Sequence, residues 1–313
     1  MKRAIALALS GAAVLALAGA ALSTSGDPWK HLRRPLHIPR IDPGAQCPAS
    51  GPDTSVDFAS YGVGQGYGPG PAYPILGGNS PRAGLEFDYP PPRNSIFWRS
   101  VWGGQKVLWF LLPDHGDRVL VRGRQLDGPY GLRFDLRRRA PVTELRIAHA
   151  GDRPSETRLR TGGCYGYQID GPEYSRVIVF KAKLRCLATL VHGNWVSAGA
   201  IRGAISPQYD VVDGRFRLHI GGWRNRATGL SQKIPWFLAR KYGGGGALRL
   251  TGKRLAPPRR TFRQLFQEAY SSDSPDQHVF PSNISPPTSG CWRLTFRTGR
   301  VTGSLTVWVH GRG

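Results

Sequence analysis

The sequence predicts an all-β protein built as two tandem antiparallel β-sandwiches, with one short helix in the second. Three observations carry this. The chain repeats itself, its strands alternate with period two, and its four cysteines are spread once per half of each repeat. "KVLWFLLPDHGDRVLVRGRQLDGP" (106–129) matches "KIPWFLARKYGGGGALRLTGKRLAPP" (233–258) as Lys-x-x-Trp-Phe-Leu, a turn, an alternating strand and Gly-Arg/Lys-x-Leu. Trp109 precedes Cys164 by 55 residues, and Trp236 precedes Cys291 by the same 55. The turn of the second copy is two residues longer, and the difference is recovered before the cysteine. Two anchors at equal separation on matched patterns indicate duplication, and duplication changes what each motif means.

The elements follow in order. Residues 1–22 carry Lys2-Arg3, an apolar run and Ala18-Gly19-Ala20, the pattern of a secretory signal peptide; the rival is a weakly apolar membrane anchor. Ala20 stands where a lipoprotein box would place its cysteine, so no lipid attaches there. A basic, Pro-rich segment follows at 23–46, then sandwich domains at 47–183 and 184–313. "SVDFASYGVGQGYGPGPAYP" (55–74) reads as an irregular arm. In the first copy Val119 and Val121 alternate with Leu120 and Arg122, and Tyr165, Tyr167 and Ile169 share a face, followed by Val177 and Val179 facing inward. In the second, Leu248 and Leu250 point in, as do Trp292, Leu294 and Phe296, then Leu305, Val307 and Val309. Half-buried alternating strands between Gly, Pro and Asp turns are those of antiparallel sandwiches. "TFRQLFQEAY" (261–270) places Phe262, Leu265, Phe266 and Ala269 at i, i+3, i+4 and i+7, which predicts the helix.

Alternation puts Cys164 and Cys291 out of step with the apolar face, at the outer start of a late strand, where each staples an incoming segment. Four cysteines allow three connectivities, and the duplication favours Cys47–Cys164 with Cys186–Cys291. Loops of that length are worth up to ~4–5 kcal/mol on the chain-entropy description. An even count in an exported chain favours disulfides over metal or catalysis.

"PTSGCWRLTFRTG…GSLTVWV" resembles the closing hairpin of bacterial extracellular immunoglobulin-like or fibronectin-like modules, and "GDRVLVRGRQLDG" is similar in cadence to their strands. The outward cysteine departs from the antibody pattern. The resemblance implies adhesive, structural or spacer units by fold analogy alone.

Charge narrows the partner. Lys and Arg number 43 against 20 Asp and Glu, a formal net charge of +23. Such a field attracts phosphate-rich wall polymers, anionic lipid surfaces or nucleic acid, and an anionic envelope polymer or a protein partner is expected. Arginine clusters lie at Arg137, Arg138 and Arg139, and at Arg259, Arg260 and Arg263, without the motifs that would make nucleic acid the partner. Membrane contact is expected only through an uncleaved N-terminal segment. Phe180 and Trp308 lie out of register with their strands' inward residues, so they are expected to form an outward contact surface, with carbohydrate stacking as the alternative use.

Catalytic patterns fail one by one. Cys291 resembles a papain-type nucleophile with His278 or His310 as base, but it enters a strand where a helix N-terminus is needed to lower its pKa. "GGGGALRLTGKR" (243–254) lacks the phosphate-loop spacing, and "GVGQGYGPG" (62–70) lacks the dinucleotide fingerprint. The eight histidines show no ligand spacing, and the Glu86/Asp88 and Asp210/Asp213 pairs suit solvated turns better than glycoside hydrolysis. No cofactor, metal or catalytic residue is expected. The reading is a secreted, envelope-associated binding or spacer protein; a hydrolase with an unrecognised site is the remaining alternative.

Overall fold

Trp109 and Trp236 begin the packing, because each is the largest side chain on the inward face of its strand. Both are fully enclosed. The computed structural model describes residues 27–77, 80–98, 100–115, 118–135, 141–205, 211–222 and 233–311. The expected signal segment 1–22 and Arg137, Arg138 and Arg139 lie outside the described residues.

The first sandwich comprises β1 (Ala72–Ile75), β2 (Gly84–Tyr89), β3 (Gly103–Leu111), β4 (Val119–Gln125), β5 (Arg133–Phe134), β6 (Leu145–Ile147), β7 (Gly151–Leu159), β8 (Gly163–Asp170) and β9 (Ser175–Cys186). One sheet has the order β1-β3-β7-β5 and the other β2-β9-β8-β4-β6. Leaving aside β2 and β6, the first, second, fifth and fourth strands face the third, sixth and seventh, which is the immunoglobulin arrangement. β2 joins β9 in parallel; the other pairings are antiparallel.

The second sandwich repeats the plan with β10 (Trp195–Ala198), β11 (Ile201–Ala204), β12 (Val211–Val212), β13 (Arg215–His219), β14 (Ile234–Ala239), β15 (Ala247–Arg254), β16 (Thr261–Gln267), β17 (Gln277–Ser282), β18 (Gly290–Thr298) and β19 (Val301–His310). Its sheets run β10-β11-β14-β17 and β12-β13-β19-β18-β15-β16, with β13 parallel to β19 as β2 is to β9. Cys164 pairs with Lys181 across β8–β9, and Cys291 with Trp308 across β18–β19, so the two copies share one register. The Leu126 N–H donates to the Cys164 carbonyl, and the repeat-equivalent Leu255 N–H donates to that of Cys291, both at 2.8 Å.

Two separate cores result. In the first, Trp109 meets Tyr167 edge-on at 5.0 Å, and Phe180 stacks on Tyr167 at 4.5 Å. In the second, Trp236 packs on Phe296 at 4.2 Å and its indole N–H donates to Ser282 Oγ at 2.8 Å. β9 runs through the expected boundary at 183/184 to Cys186 and pairs with β2 to its end. The β15–β16 turn then reaches back, placing Ala256 in the first core with Leu255 against it, while Tyr89 Oη donates to the Leu255 carbonyl at 3.2 Å.

Two expectations are corrected. Residues 261–267 form β16, an edge strand, and no helix. Phe262 and Phe266 are four apart, a spacing that fits one face of a strand as well as of a helix, so Leu265 is the deciding residue; it is 55% exposed on the outer side. Phe262 fits because Gly252 opposite has no side chain: a Cβ there would stand 2.0 Å from its ring. The second correction concerns β9. Ile178, Phe180 and Ala182 face the core, while Val177 and Val179 face outward against the N-terminal segment. The valines are apolar because their outer face is covered too, so hydrophobicity alone misreads the register.

Trp236→Ala should cost ~3–5 kcal/mol in chemical unfolding, whereas Leu265→Ala should change stability by less than ~0.5 kcal/mol. A large loss at Leu265 would contradict the edge-strand assignment.

Candidate functional site

The two sandwiches differ in what covers their outer faces. Both disulfides form as the duplication implies, Cys47–Cys164 and Cys186–Cys291, with Cα separations of 5.4 and 5.5 Å. Cys164 and Cys291 do leave the sheet on its outer side, yet both are buried. What buries Cys164 is the basic N-terminal segment, which lies across β4, β8 and β9. Leu32 and Trp29 pack on Leu120; Ile38 and Ile41 join Leu126, Val177 and Val179. Most polar groups beneath it are matched, although Arg122 Nε and Arg124 Nε are buried without a hydrogen-bond partner. Arg122 binds Asp170 at 2.7 Å, Gln168 accepts from the His37 N–H at 2.8 Å and donates to the Pro35 carbonyl at 3.0 Å, and Arg124 donates to the Ile38 carbonyl. Arg33 pairs with Glu144 at 2.7 Å, which holds that carboxyl below its usual range. The arm at 55–66 covers the other sheet: Phe58 and Tyr61 contact Phe110 at 6.4 and 5.0 Å.

The corresponding face of the second sandwich is open to solvent and cationic. Arg122 and Arg124 of β4 correspond to Thr251 and Lys253 of β15; Gln168 and Asp170 of β8 correspond to Thr295 and Arg297 of β18. The aspartate that neutralises the first face is thus an arginine in the second. Arg249 stands directly opposite Arg297, and Lys253 directly opposite Arg293. Between these two pairs run Arg263, Thr251, Thr295 and Ser304 in register across four strands. The cationic pairs are four residues apart along the strand, roughly 13 Å. Like charges directly opposite each other in a sheet are destabilising. No Asp or Glu occurs anywhere in β12, β13, β15, β16, β18 or β19. Arg249, Lys253, Arg263, Arg293 and Arg297 are all exposed, and none forms an ion pair among the described residues.

Trp308 lies on this outer face as expected, half-buried, opposite Cys291 on one side and Arg217 on the other, with its ring edge-on to His310 at 6.2 Å. Phe180 is not its counterpart. The residue matching Trp308 is Lys181, and Phe180 matches core Val307, so the expected pair of outward aromatics does not exist. Arg259 and Arg260 are exposed in the β15–β16 turn, and Arg263 extends the cationic face to the edge. Sequence reasoning missed Arg249, Lys253, Arg293 and Arg297. They are scattered along the chain and only cross-strand register gathers them.

His278, the candidate base beside Cys291, instead serves the tetraglycine turn. Its Nδ1 lies 2.8 Å from Glu268 Oε1, while Oε2 accepts the Gly246 N–H at 2.7 Å and Arg240 stands 3.6 Å away. Cys291 is in a disulfide. Among the described residues no group of three or more His, Cys, Asp or Glu is arranged to hold a metal ion, and no helix is long and apolar enough to cross a membrane.

No family model and no curated protein matches the chain. Among solved structures it overlaps a chimeric titin Z1Z2 (10% identity, 67% of this chain and 89% of that one, TM-score 0.17). It also overlaps the titin I-band fragment I67–I69 (8% identity, 78% and 66%, TM-score 0.20) and extracellular domains 3–5 of Drosophila OTK (12%, 66% and 61%, TM-score 0.16). At such scores these overlaps carry no argument, and the immunoglobulin-type order rests on the sheets themselves.

The His278 contact, then the Gly246 N–H, hold the Glu268 carboxyl below its ordinary range against the opposing effect of burial. A depressed carboxylate pKa adds stability above the unfolded value, and that stability disappears as pH falls through the folded one. Glu268→Gln should therefore be destabilising near neutrality and approach wild type below about pH 4 in urea unfolding. A difference independent of pH would show that the carboxylate charge is not what holds the turn.

Proposed function

We propose that this is an exported, non-catalytic binding protein of the cell envelope, which engages an anionic polymer or an acidic protein surface through the open cationic face of its second sandwich. The observation that carries the reading is the two like-charged pairs placed directly opposite each other in register, Arg249 with Arg297 and Lys253 with Arg293, on strands that carry no carboxylate. An isolated protein gains nothing from opposing like charges across a ladder. An anion laid between the rows removes the repulsion and gains charge-assisted hydrogen bonds from the guanidinium groups and from the hydroxyl row.

The first sandwich supports the same reading. The equivalent surface there accepts an extended stretch of the protein's own chain, so its geometry suits a chain-like occupant. Two disulfides fit an oxidising compartment outside the cytoplasm. The alternative of carbohydrate stacking retains Trp308 but loses Phe180 to the core.

Binding of the mature protein to envelope fractions should fall steeply between about 50 and 500 mM salt as the Debye length shrinks. Arg249→Gln combined with Arg297→Gln should weaken binding at least ~tenfold while leaving stability unchanged or raised by a few tenths of a kcal/mol. Salt-insensitive binding that depends on Trp308 would favour carbohydrate instead.

A further inference from the structure

A second cationic cluster lies on the other sheet of the first sandwich, beneath the loop that joins β2 to β3. Arg158 and Arg160 leave β7 and the residue beyond it on the outer side, and Arg133 of β5 stands in register opposite Arg158. The loop lays two rings on them. Phe97 lies 5.1 Å from the Arg158 guanidinium carbon, and Trp102 lies 5.6 Å from that of Arg133 and 5.0 Å from that of Arg160.

Arg158 is the informative residue. It is only 5% exposed, its Nε is buried without a hydrogen-bond partner, and it forms no ion pair among the described residues. Burial pulls its pKa below the ordinary guanidinium value, with Glu156 opposing. Glu156 itself stands in register opposite Lys106, and Asp135 is turned to Arg153 at 3.8 Å. Arg133 spends one N–H on the Leu132 carbonyl at 2.8 Å and, like Arg160, has no ion pair among the described residues. A guanidinium removed from water and left beside two more cations is costly unless a counter-charge arrives. The planar fork of arginine matches oxyanions, and aromatic faces hold its orientation and exclude water. Ile96 and Trp98 of the same loop are 63% and 44% exposed.

We propose that Arg133, Arg158 and Arg160, roofed by Phe97 and Trp102, form a discrete site for one oxyanion group of a ligand: a phosphate, a sulfate or a carboxylate. It differs from the sheet face of the second sandwich in kind. That face presents rows of exposed charge suited to a polymer, whereas this cluster is small, centred on the buried Arg158 guanidinium and flanked by aromatic side chains. The two are separate in the structure and fail separately.

The test titrates the full-length mature protein with sodium phosphate, sodium sulfate or sodium acetate at constant ionic strength, following tryptophan fluorescence and thermal unfolding. Saturable binding with a rise in Tm by at least one of the three is expected, and which anion binds best identifies the group. Arg158→Met should raise the Tm of the anion-free protein, because it removes an unpaired buried charge, and should abolish the anion-induced shift. Arg160→Gln should weaken binding at least ~tenfold, while Arg249→Gln leaves it unchanged. If Arg158→Met does not fold, Arg133→Gln and Arg160→Gln decide the matter, since both side chains are half-exposed. Absence of saturable binding by all three anions, or an undiminished shift in the Arg158 or Arg160 variants, overturns the proposal.

Discussion

The enclosure of one indole between two sheets is the contact on which everything else rests. Trp109 and Trp236 sit on equivalent strands, each against an aromatic side chain of the facing sheet. Fixing that ring fixes which residues of each strand face inward, and period-two geometry then dictates every outward position. The cationic rows, the outward cysteines and the arginines beneath the aromatic loop are all consequences of this one alignment, since a slip by one residue would exchange the two faces.

A sandwich made this way has two outer faces to satisfy, and the duplicated halves do it differently. The first is wrapped by residues that precede it. Apolar outward residues such as Leu120, Val177 and Val179 make sense only beneath that wrapping, and Asp170 gives Arg122 a buried counter-charge. The second keeps the same backbone register with no covering segment among the described residues, so most of its outward residues are hydroxyls and cations, with Leu265 and Trp308 beside them. Divergence after duplication is therefore concentrated on the outer faces, while the inner faces keep their aromatic and aliphatic character.

The junction joins the halves through few but specific contacts. Cys186 ends the last strand of the first sandwich and is bonded to Cys291 at the start of β18. Tyr89 lies at this point: its carbonyl accepts the Leu187 N–H at 3.0 Å, and its hydroxyl reaches the Leu255 carbonyl. Ala256 enters the first core from the second sandwich. The second staple thus secures the connection as well as the domain, unlike the first, which secures a covering segment.

The sequence by itself determined the duplication, the all-β class and the pairing of the cysteines, because equal spacing of Trp and Cys and period-two alternation are properties of the chain alone. It also determined that Trp308 faces outward. It misplaced Phe180 and the strand at 261–267 for one reason: short stretches satisfy two patterns at once. Around Val177–Phe180 both faces of β9 are covered, so alternation loses its contrast there, and an i, i+4 pair of phenylalanines serves a strand or a helix equally. Only the tertiary structure decided the rest. Arg249, Arg297, Lys253 and Arg293 become neighbours through cross-strand register, and Arg133 meets Arg158 through pairing of strands distant in sequence. Whether a charge is neutralised depends on what lies over its face, and that is set by where a remote segment folds back, a long-range property that no local pattern of residues encodes.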